Sequence, residues 1–493
     1  MPRSSRLVSA GSWLLPLAGA AAALPCLQFQ PDDLFIYLRV VQNVLSGDGW
    51  GFNPGEPVNV ASSGGWLLVL IALMRAAGSV DAGVAQVASA FCTMLAIAGA
   101  YRLATGLAGH RLAGWTAALA LGCDAWVMRW FWSGMETGLA IAIALWGLAL
   151  LADEPSRRFN AWLGAVLIAI GPVVRPELAL LAVCVFVVRL ADWRRVGLSP
   201  ATKLATAGGV VAITWAVFSL QTWGGLIPAS VSAKSSLGAA NIATVAAAWR
   251  VLVAIGATQL PLVLAALLLS RSWWRADTAV SRRFMAQVTW LFVPMLTLVY
   301  SLRHVKIYSR YALPATALLV VLGAAAIAAW AIENDAPAVR RRLWVAVLTA
   351  TLVVNLTLAA LITVPASRTY ARSMQDVVWP LARRLAAQMP PRSTLATHNI
   401  GVLGFATQRR ILDLNGLATP QIVPYKRDGR ERDYLEAHPP DWIVEITPAP
   451  GELQKSPGRL LLIRDETLIF HKMFPTGPDP MYLTVYRVNG LAP

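Results

Sequence analysis

The sequence predicts a polytopic α-helical membrane protein that ends in a small α/β domain, and three observations carry that expectation. Of 493 residues, 57% are hydrophobic and only 14% charged, about half the charged share of an average soluble chain, and the mean hydropathy is +0.56. Apolar runs of about 20 residues, each long enough to cross a hydrocarbon core, recur along most of the chain. From about residue 366 those runs stop, and the remaining stretch carries 16 Lys/Arg with 12 Asp/Glu. The composition excludes an ordinary cytosolic enzyme and divides the chain into a membrane part, 1–365, and a soluble part, 366–493.

The first span runs near 11–29, behind Arg3 and Arg6. It is long for a signal-peptide core, and no small-x-small site follows, so it reads as an uncleaved span with a cytoplasmic N-terminus. Ten more spans follow near 83–106, 111–131, 136–152, 161–174, 177–190, 204–221, 246–270, 285–301, 311–331 and 344–364. Trp66–Met74 is too short to cross as a helix and is closed by Arg75, so it reads as a helix lying on the membrane. About 11 spans put thirteen Lys/Arg in the later cytoplasmic loops against five in the outer ones, as the positive-inside rule requires. The net charge of +16 then follows from those loops and from anionic lipid, and no basic-aromatic signature points to nucleic acid. The four cysteines all lie in apolar runs, where cysteine is a small hydrophobe, and show no disulfide or zinc spacing.

An odd number of spans places 366–493 outside the cytoplasm. There the pattern predicts a helix over Met374–Gln388 and strands at Ser393–Ala396 and Arg410–Leu414. Short apolar runs stand at Asp441–Glu445 and Leu460–Arg464, with loops at 389–392, 448–457 and 475–480.

The most informative segment follows the first span: Pro31-Asp32-Asp33, then an amphipathic stripe of Leu34, Leu38, Val41 and Leu45 stopped by Ser46-Gly47. Adjacent carboxylates are costly at a bilayer surface, and their mutual repulsion raises at least one pKa unless something neutralises them. Such a pair suits a general base or a ligand for a divalent cation, which leaves the metal open. An N-cap is the alternative reading, but a cap needs only one carboxylate. After the turn-rich stretch Gly51–Glu56 comes the Trp66 helix, so two membrane-parallel helices form a shelf over the outer leaflet.

Other outer junctions carry ionisable groups: Glu136 at the start of a span, Arg175 and Glu177 around Pro176, Lys234 in the longest outer loop, and Arg303, His304, Lys306 and Arg310 with Tyr311. Each alone fits a helix-end charge or a snorkelling side chain. Together they place two acids and several bases on one face, an anion-binding acid/base site at the outer leaflet. The anion at that depth is most simply a lipid phosphate, for which Arg offers a fork and Lys a point charge.

The stretch from Asp32 to Arg39 and on through Gly49–Glu56 resembles the first outer loop of GT-C glycosyltransferases that use polyprenyl-phosphate sugars. It is closest to the branch of the mycobacterial-type terminal arabinofuranosyltransferases. The same family is matched by Ser133-Gly134-Met135-Glu136-Thr137, Arg175-Pro176-Glu177, the Gly224, Pro228 and Lys234 pattern, and Arg310-Tyr311-x-Leu313-Pro314. Asn399–Phe405 and Asp413–Leu417 match it in the soluble part. The resemblance implies a GT-C fold in a bacterial plasma membrane with an extracytoplasmic C-terminal domain. It implies a polyprenyl-monophosphate sugar as donor, best read as arabinofuranose, and a cell-envelope glycan or other acceptor. Asp32 or Asp33 would be the catalytic acid pair. Arg175, Lys234, Arg303, Lys306, Arg310 and Tyr311 would hold the lipid phosphate, and Glu136, Glu177 and His304 would hold the sugar or orient the acids.

Two other classes share parts of this pattern. A lipid-linked sugar transporter needs ionisable residues along a path through both leaflets, whereas the acids here cluster on one side. A polysaccharide-binding assembly factor would use the soluble domain without performing transfer.

Overall fold

The computed structural model describes residues 13–152, 158–229, 242–275, 278–304, 309–333, 337–455, 458–472 and 479–491. Among these, five helices are long and apolar enough to cross a membrane: Ala82–Ala108, Ser199–Trp223, Val280–Leu302, Ser309–Ala331 and the helical run Ala338–Gln388. A sixth arises if the pair Thr244–Gly256 and Leu260–Trp274, bent by 97°, counts as one span. Thr137–Ala152 and Phe159–Val174 are apolar but shorter, as is Gly64–Ala77, which covers the stretch expected to lie on the membrane. The protein is a multi-pass membrane protein. It forms two units, the first made of Met1–Leu27, Gln86–Ala216 and Ser236–Val364, the second of Gln28–Ala85, Val217–Ser235 and Pro365–Pro493.

The Ser309–Ala331 helix is the axis of the first unit, buried along nearly its whole length. It is rich in alanine, and small residues let neighbouring helices approach where apolar burial alone gives no drive to associate in lipid. Gly323 shows how close the approach is: a Cβ there would lie 2.2 Å from the Leu262 carbonyl oxygen.

One expected span, 111–131, is broken in two, Arg111–Gly122 and Ala125–Phe131. The cause is Asp124, a fully buried carboxylate that accepts from the Trp126 and Val127 N–H groups at 2.8 and 2.9 Å and so caps the second helix. Its other oxygen accepts from the Thr258 hydroxyl at 2.6 Å and the Gln259 amide at 2.8 Å, at the break between the two bent helices. Asn355 closes the group by accepting from Ala125 N–H and donating to the Thr258 carbonyl. A carboxylate in this setting is tolerable because every one of these donors faces it.

In the second unit a five-stranded sheet is built from β1 (Thr394–Thr397), β2 (Arg410–Asp413), β3 (Trp442–Thr447), β4 (Leu460–Phe470) and β5 (Met481–Leu491). Its order is β2-β1-β3-β5-β4, with β1 parallel to β2 and β3, and β5 antiparallel to β3 and β4. The Ile400–Thr407 helix connects β1 to β2. Ala396, Leu412, Ile443 and Tyr486 centre the sheet's core. The strand at Met481–Leu491 is absent from the sequence expectation, although Leu483 and Val485 alternate with polar neighbours there.

The Gly323 contact gives a test. Gly323→Ala should destabilise the protein by about 1–3 kcal/mol, because the obstructing atom is backbone and cannot turn aside. Gly208→Ala, where nothing lies within 4 Å of the added carbon, should be neutral or slightly stabilising. Thermal unfolding of both variants in detergent checks the contrast.

Candidate active site

The Asp32–Ser46 helix of the second unit starts after Pro31, whose φ of −66° sets the chain for a first turn, and ends at Gly47, left-handed at φ 83°. No side chain caps its start. Asp32 instead reaches another helix: its two carboxylate oxygens accept the backbone N–H groups of Gly401 and Val402, both at 2.9 Å. These are among the N–H groups that a helix leaves without internal partners in its first turn, and the end of a helix dipole favours an anion there. Asp32 N–H also points to the Tyr370 hydroxyl at 3.2 Å. The approach is so close that a Cβ on Gly401 would lie 1.9 Å from the Asp32 carbonyl oxygen. The Ile400–Thr407 helix, which follows Asn399, is therefore one whose second residue must lack a side chain.

Burial pushes the Asp32 carboxyl up to about 6, against the two backbone N–H groups that pull it down, and the charges of Asp33 and Asp413 add to the rise. Asp413, at the end of β2, accepts from the N–H groups of Asn415, Leu417 and Ala418 and folds that turn around itself. Burial raises it as well. His398, beside the same strand ends, is lowered to about 4 by burial and by the Lys426 charge, so it is neutral at pH 7.

The turn-rich stretch after the helix is held just as specifically. The Asn53 side chain donates to the Ile411 carbonyl and accepts from its N–H, both at 2.9 Å, pairing with the outer strand β2 as another strand would. Glu56 makes an ion pair with Arg410 at 2.8 Å. Asn43 donates to the Gly51 and Phe52 carbonyls, and Arg39 to that of Phe52. Phe35 packs edge-on against Trp379, with ring centroids 5.2 Å apart.

The first unit holds the other group of expected residues. Arg175 is buried and donates to both Glu136 and Glu177, which are buried too. Its guanidinium lies 4.8 Å from the Tyr311 ring centroid, and that of Arg310 lies 5.2 Å from both Tyr311 and Trp130. Two arginines and two carboxylates thus come together on aromatic faces with formal charges that cancel. Arg303 and His304 follow the Val280–Leu302 helix, His304 at a left-handed φ of 47°. Lys234 and Lys306 lie outside the described residues. No group of three or more His, Cys, Asp or Glu among the described residues could hold a metal ion.

Residues 366–482 match a family described as "Domain of unknown function (DUF8728)". The terminal β-(1→2)-arabinofuranosyltransferase of Mycobacterium tuberculosis is 31% identical over 224 residues, 42% of this chain and 35% of that protein, so the match spans about a third of the relative. The apo structure of ArnT from Cupriavidus metallidurans superposes over 97% of this chain and 98% of its own at a TM-score of 0.62 and 13% identity. The fold is the GT-C fold. ArnT bound to undecaprenyl phosphate gives a TM-score of 0.56 at 14% identity, covering 98% and 100% of the two chains. The mycobacterial arabinofuranosyltransferase AftD gives 0.55 at 16% identity, covering 99% of this chain and 42% of its own. The resemblance read from the motifs of the first outer loop is thereby borne out, and a GT-C protein accounts for the long apolar helices and the C-terminal sheet together.

Two measurements test the geometry. An acid whose folded pKa is raised contributes stability that is fully present below its unfolded value and is lost as pH rises through about 6. Asp32→Asn cannot titrate, so its stability relative to wild type should improve between about pH 4 and pH 7; a pH-independent difference would contradict this environment. Arg175→Met should cost about 3–5 kcal/mol by stranding two buried carboxylates. Adding Glu136→Gln and Glu177→Gln should recover part of that loss in detergent melting curves.

Proposed function

We propose that the protein is an integral-membrane glycosyltransferase that moves a sugar, arabinofuranose by our reading, from a polyprenyl monophosphate to a glycan acceptor on the outer face. The observation that carries this is the 31% identity to an arabinofuranosyltransferase, together with an acidic pair held at the start of the Asp32–Ser46 helix. ArnT, of the same fold, has a structure bound to undecaprenyl phosphate, which supports a lipid phosphate as the donor's carrier.

In the proposed reaction a carboxylate of the Asp32–Asp33 pair takes the proton of an acceptor hydroxyl. The acceptor oxygen bonds to the anomeric carbon, the bond from that carbon to the phosphate oxygen breaks, and the polyprenyl phosphate leaves with the electron pair. Phosphate is a workable leaving group, so compensating its charge and aligning the reactants supply much of the rate. We assign that compensation to Arg310, with Arg303, Lys234 and Lys306, and a hydroxyl contact to Tyr311. Arg175 already neutralises Glu136 and Glu177, so its role is to hold those two acids in place to face the sugar. His304 remains a candidate for orienting the sugar.

The test is to incubate the purified protein with a panel of polyprenyl-phosphate pentoses and hexoses plus an oligosaccharide acceptor. Consumption of the arabinofuranosyl donor with release of polyprenyl phosphate is expected, and Arg310→Ala should raise the donor KM about 10- to 100-fold, the worth of one charge-assisted hydrogen bond. If no donor in the panel is consumed, the reading fails.

A further inference from the structure

Where neighbouring parallel strands send their outgoing connections to opposite faces of a sheet, a crevice forms outside their carboxyl ends, and ligands bind there. The C-terminal sheet has that arrangement at β1 and β2, with β3 on the far side of β1. β1 leads into the Ile400–Thr407 helix, where a Cβ on Gly404 would lie 3.2 Å from Ile411. β2 leads on to the Glu431–Ala437 helix, whose Tyr434 and Leu435 pack with Ala396, Leu412 and Ile443. Consecutive strand residues point to opposite faces, so Ile411 and Leu412 put the two helices on opposite sides of the sheet. The crevice is bounded by His398 and Asn399 after β1 and by the turn from Asp413 to Ala418 after β2.

Polar side chains gather at this end with hydrogen-bonding capacity to spare. Asn415 donates to the His398 carbonyl and accepts from the Lys426 ammonium, both at 2.8 Å, and so ties the two loops to the Val423–Arg427 helix. Lys426 spends one of its three donors there. The His398 ring is half-buried, and its Nδ1 is a buried nitrogen with no hydrogen-bond partner among the described residues. Leaving such an atom unpaired costs about 1–3 kcal/mol, and the broad χ2 torsion of histidine lets the ring turn toward a partner that arrives. Asn399 stands next to it, half-buried as well.

The charges around the crevice select its ligand. Lys426 acts on both His398 and Asp413, and Asp413 acts on Asp32. The two carboxylates oppose an anion; they are turned to main-chain N–H groups with Lys426 at hand, which opposes a cation. A neutral imidazole, two carboxamides and an ammonium supply the mixture of donors and acceptors that hydroxyl groups pair with. Resting on the glycosyltransferase reading above, we propose that the crevice outside β1 and β2, lined by His398, Asn399, Asn415 and Lys426, binds a neutral sugar residue of the glycan acceptor. The helix that begins after Asn399 also holds Asp32, so a sugar in the crevice lies next to the acidic pair.

The experiment compares wild type, His398→Phe and Lys426→Met with Arg392→Met, which removes an exposed positive charge just ahead of β1, at the other end of the strand. Transfer is measured at steady state with the donor that wild type consumes and a short neutral oligosaccharide of arabinofuranose as acceptor. Binding of that oligosaccharide to the purified protein, without donor, is measured by saturation-transfer NMR. Lys426→Met should raise the acceptor KM about 10- to 100-fold, the worth of a hydrogen bond from a charged group, and His398→Phe about 3- to 10-fold, that of a neutral one. Both should leave the donor KM, and kcat at saturating acceptor, within about 3-fold, as loss of uniform binding requires; Arg392→Met should match wild type. The saturation-transfer signal should weaken in the same two variants and survive excess inorganic phosphate. If His398→Phe does not accumulate, Lys426→Met carries the test. An unchanged acceptor KM in Lys426→Met, a donor KM that rises as much as the acceptor KM, displacement of the oligosaccharide by phosphate, or no binding to wild type would each overturn the assignment. Wild type that binds the oligosaccharide but uses no donor would instead overturn the glycosyltransferase reading, with the crevice judged by the binding signal of the variants.

Discussion

The pair of hydrogen bonds from Gly401 and Val402 to the Asp32 carboxylate is the contact on which the second unit turns. It joins the end of a helix, with N–H groups that have no partner inside that helix, to a carboxylate that stands next in sequence to another carboxylate. Each solves the other's problem: the helix gains a partner for orphan donors, and the acid gains donors in place of water. Around this contact the same loop is tied by Asn53 to Ile411 and by Glu56 to Arg410. A loop that looks from its glycines and turns like a mobile connection is thus an extension of the sheet domain.

The first unit follows a complementary rule. Removing charge from water is expensive, and a buried ion stays only where partners compensate it. Asp124 meets four hydrogen-bond donors, and Arg175 meets two carboxylates and an aromatic face. The outcomes differ in kind. Asp124 fixes two helix breaks against each other, an architectural role. Arg175 gathers two acids beside Arg310 and Tyr311, giving a group whose formal charges balance.

What was legible in the sequence was local. Pro31 and Gly47 mark the ends of the first loop helix, and β1 to β4 begin within a residue or so of their apolar runs. What was not legible depends on partners far along the chain. Nothing near Asp32 announces Gly401, and nothing near Arg175 announces that Glu136, 39 positions earlier, is its partner. Asp124 was hidden for another reason: an apolar run tolerates one carboxylate in a hydropathy average, so the break it causes at 122–125 reads as a continuous span. The Ile400–Thr407 helix was missed because Gly401 and Gly404 look like turn signals, when they are the places where Asp32 and Phe52 come too close for any side chain.

The separation in sequence between Asn53 and Ile411, 358 residues, has a consequence for how the protein comes into being. A ribosome adds roughly 5–20 residues per second, so the loop bearing the acidic pair emerges tens of seconds before the strand that seats it exists. During that interval the helices can insert, but the acids have no anchor. The molecule therefore acquires its mature first loop only at the last stage of synthesis, after the sheet domain has been delivered to the same side of the membrane.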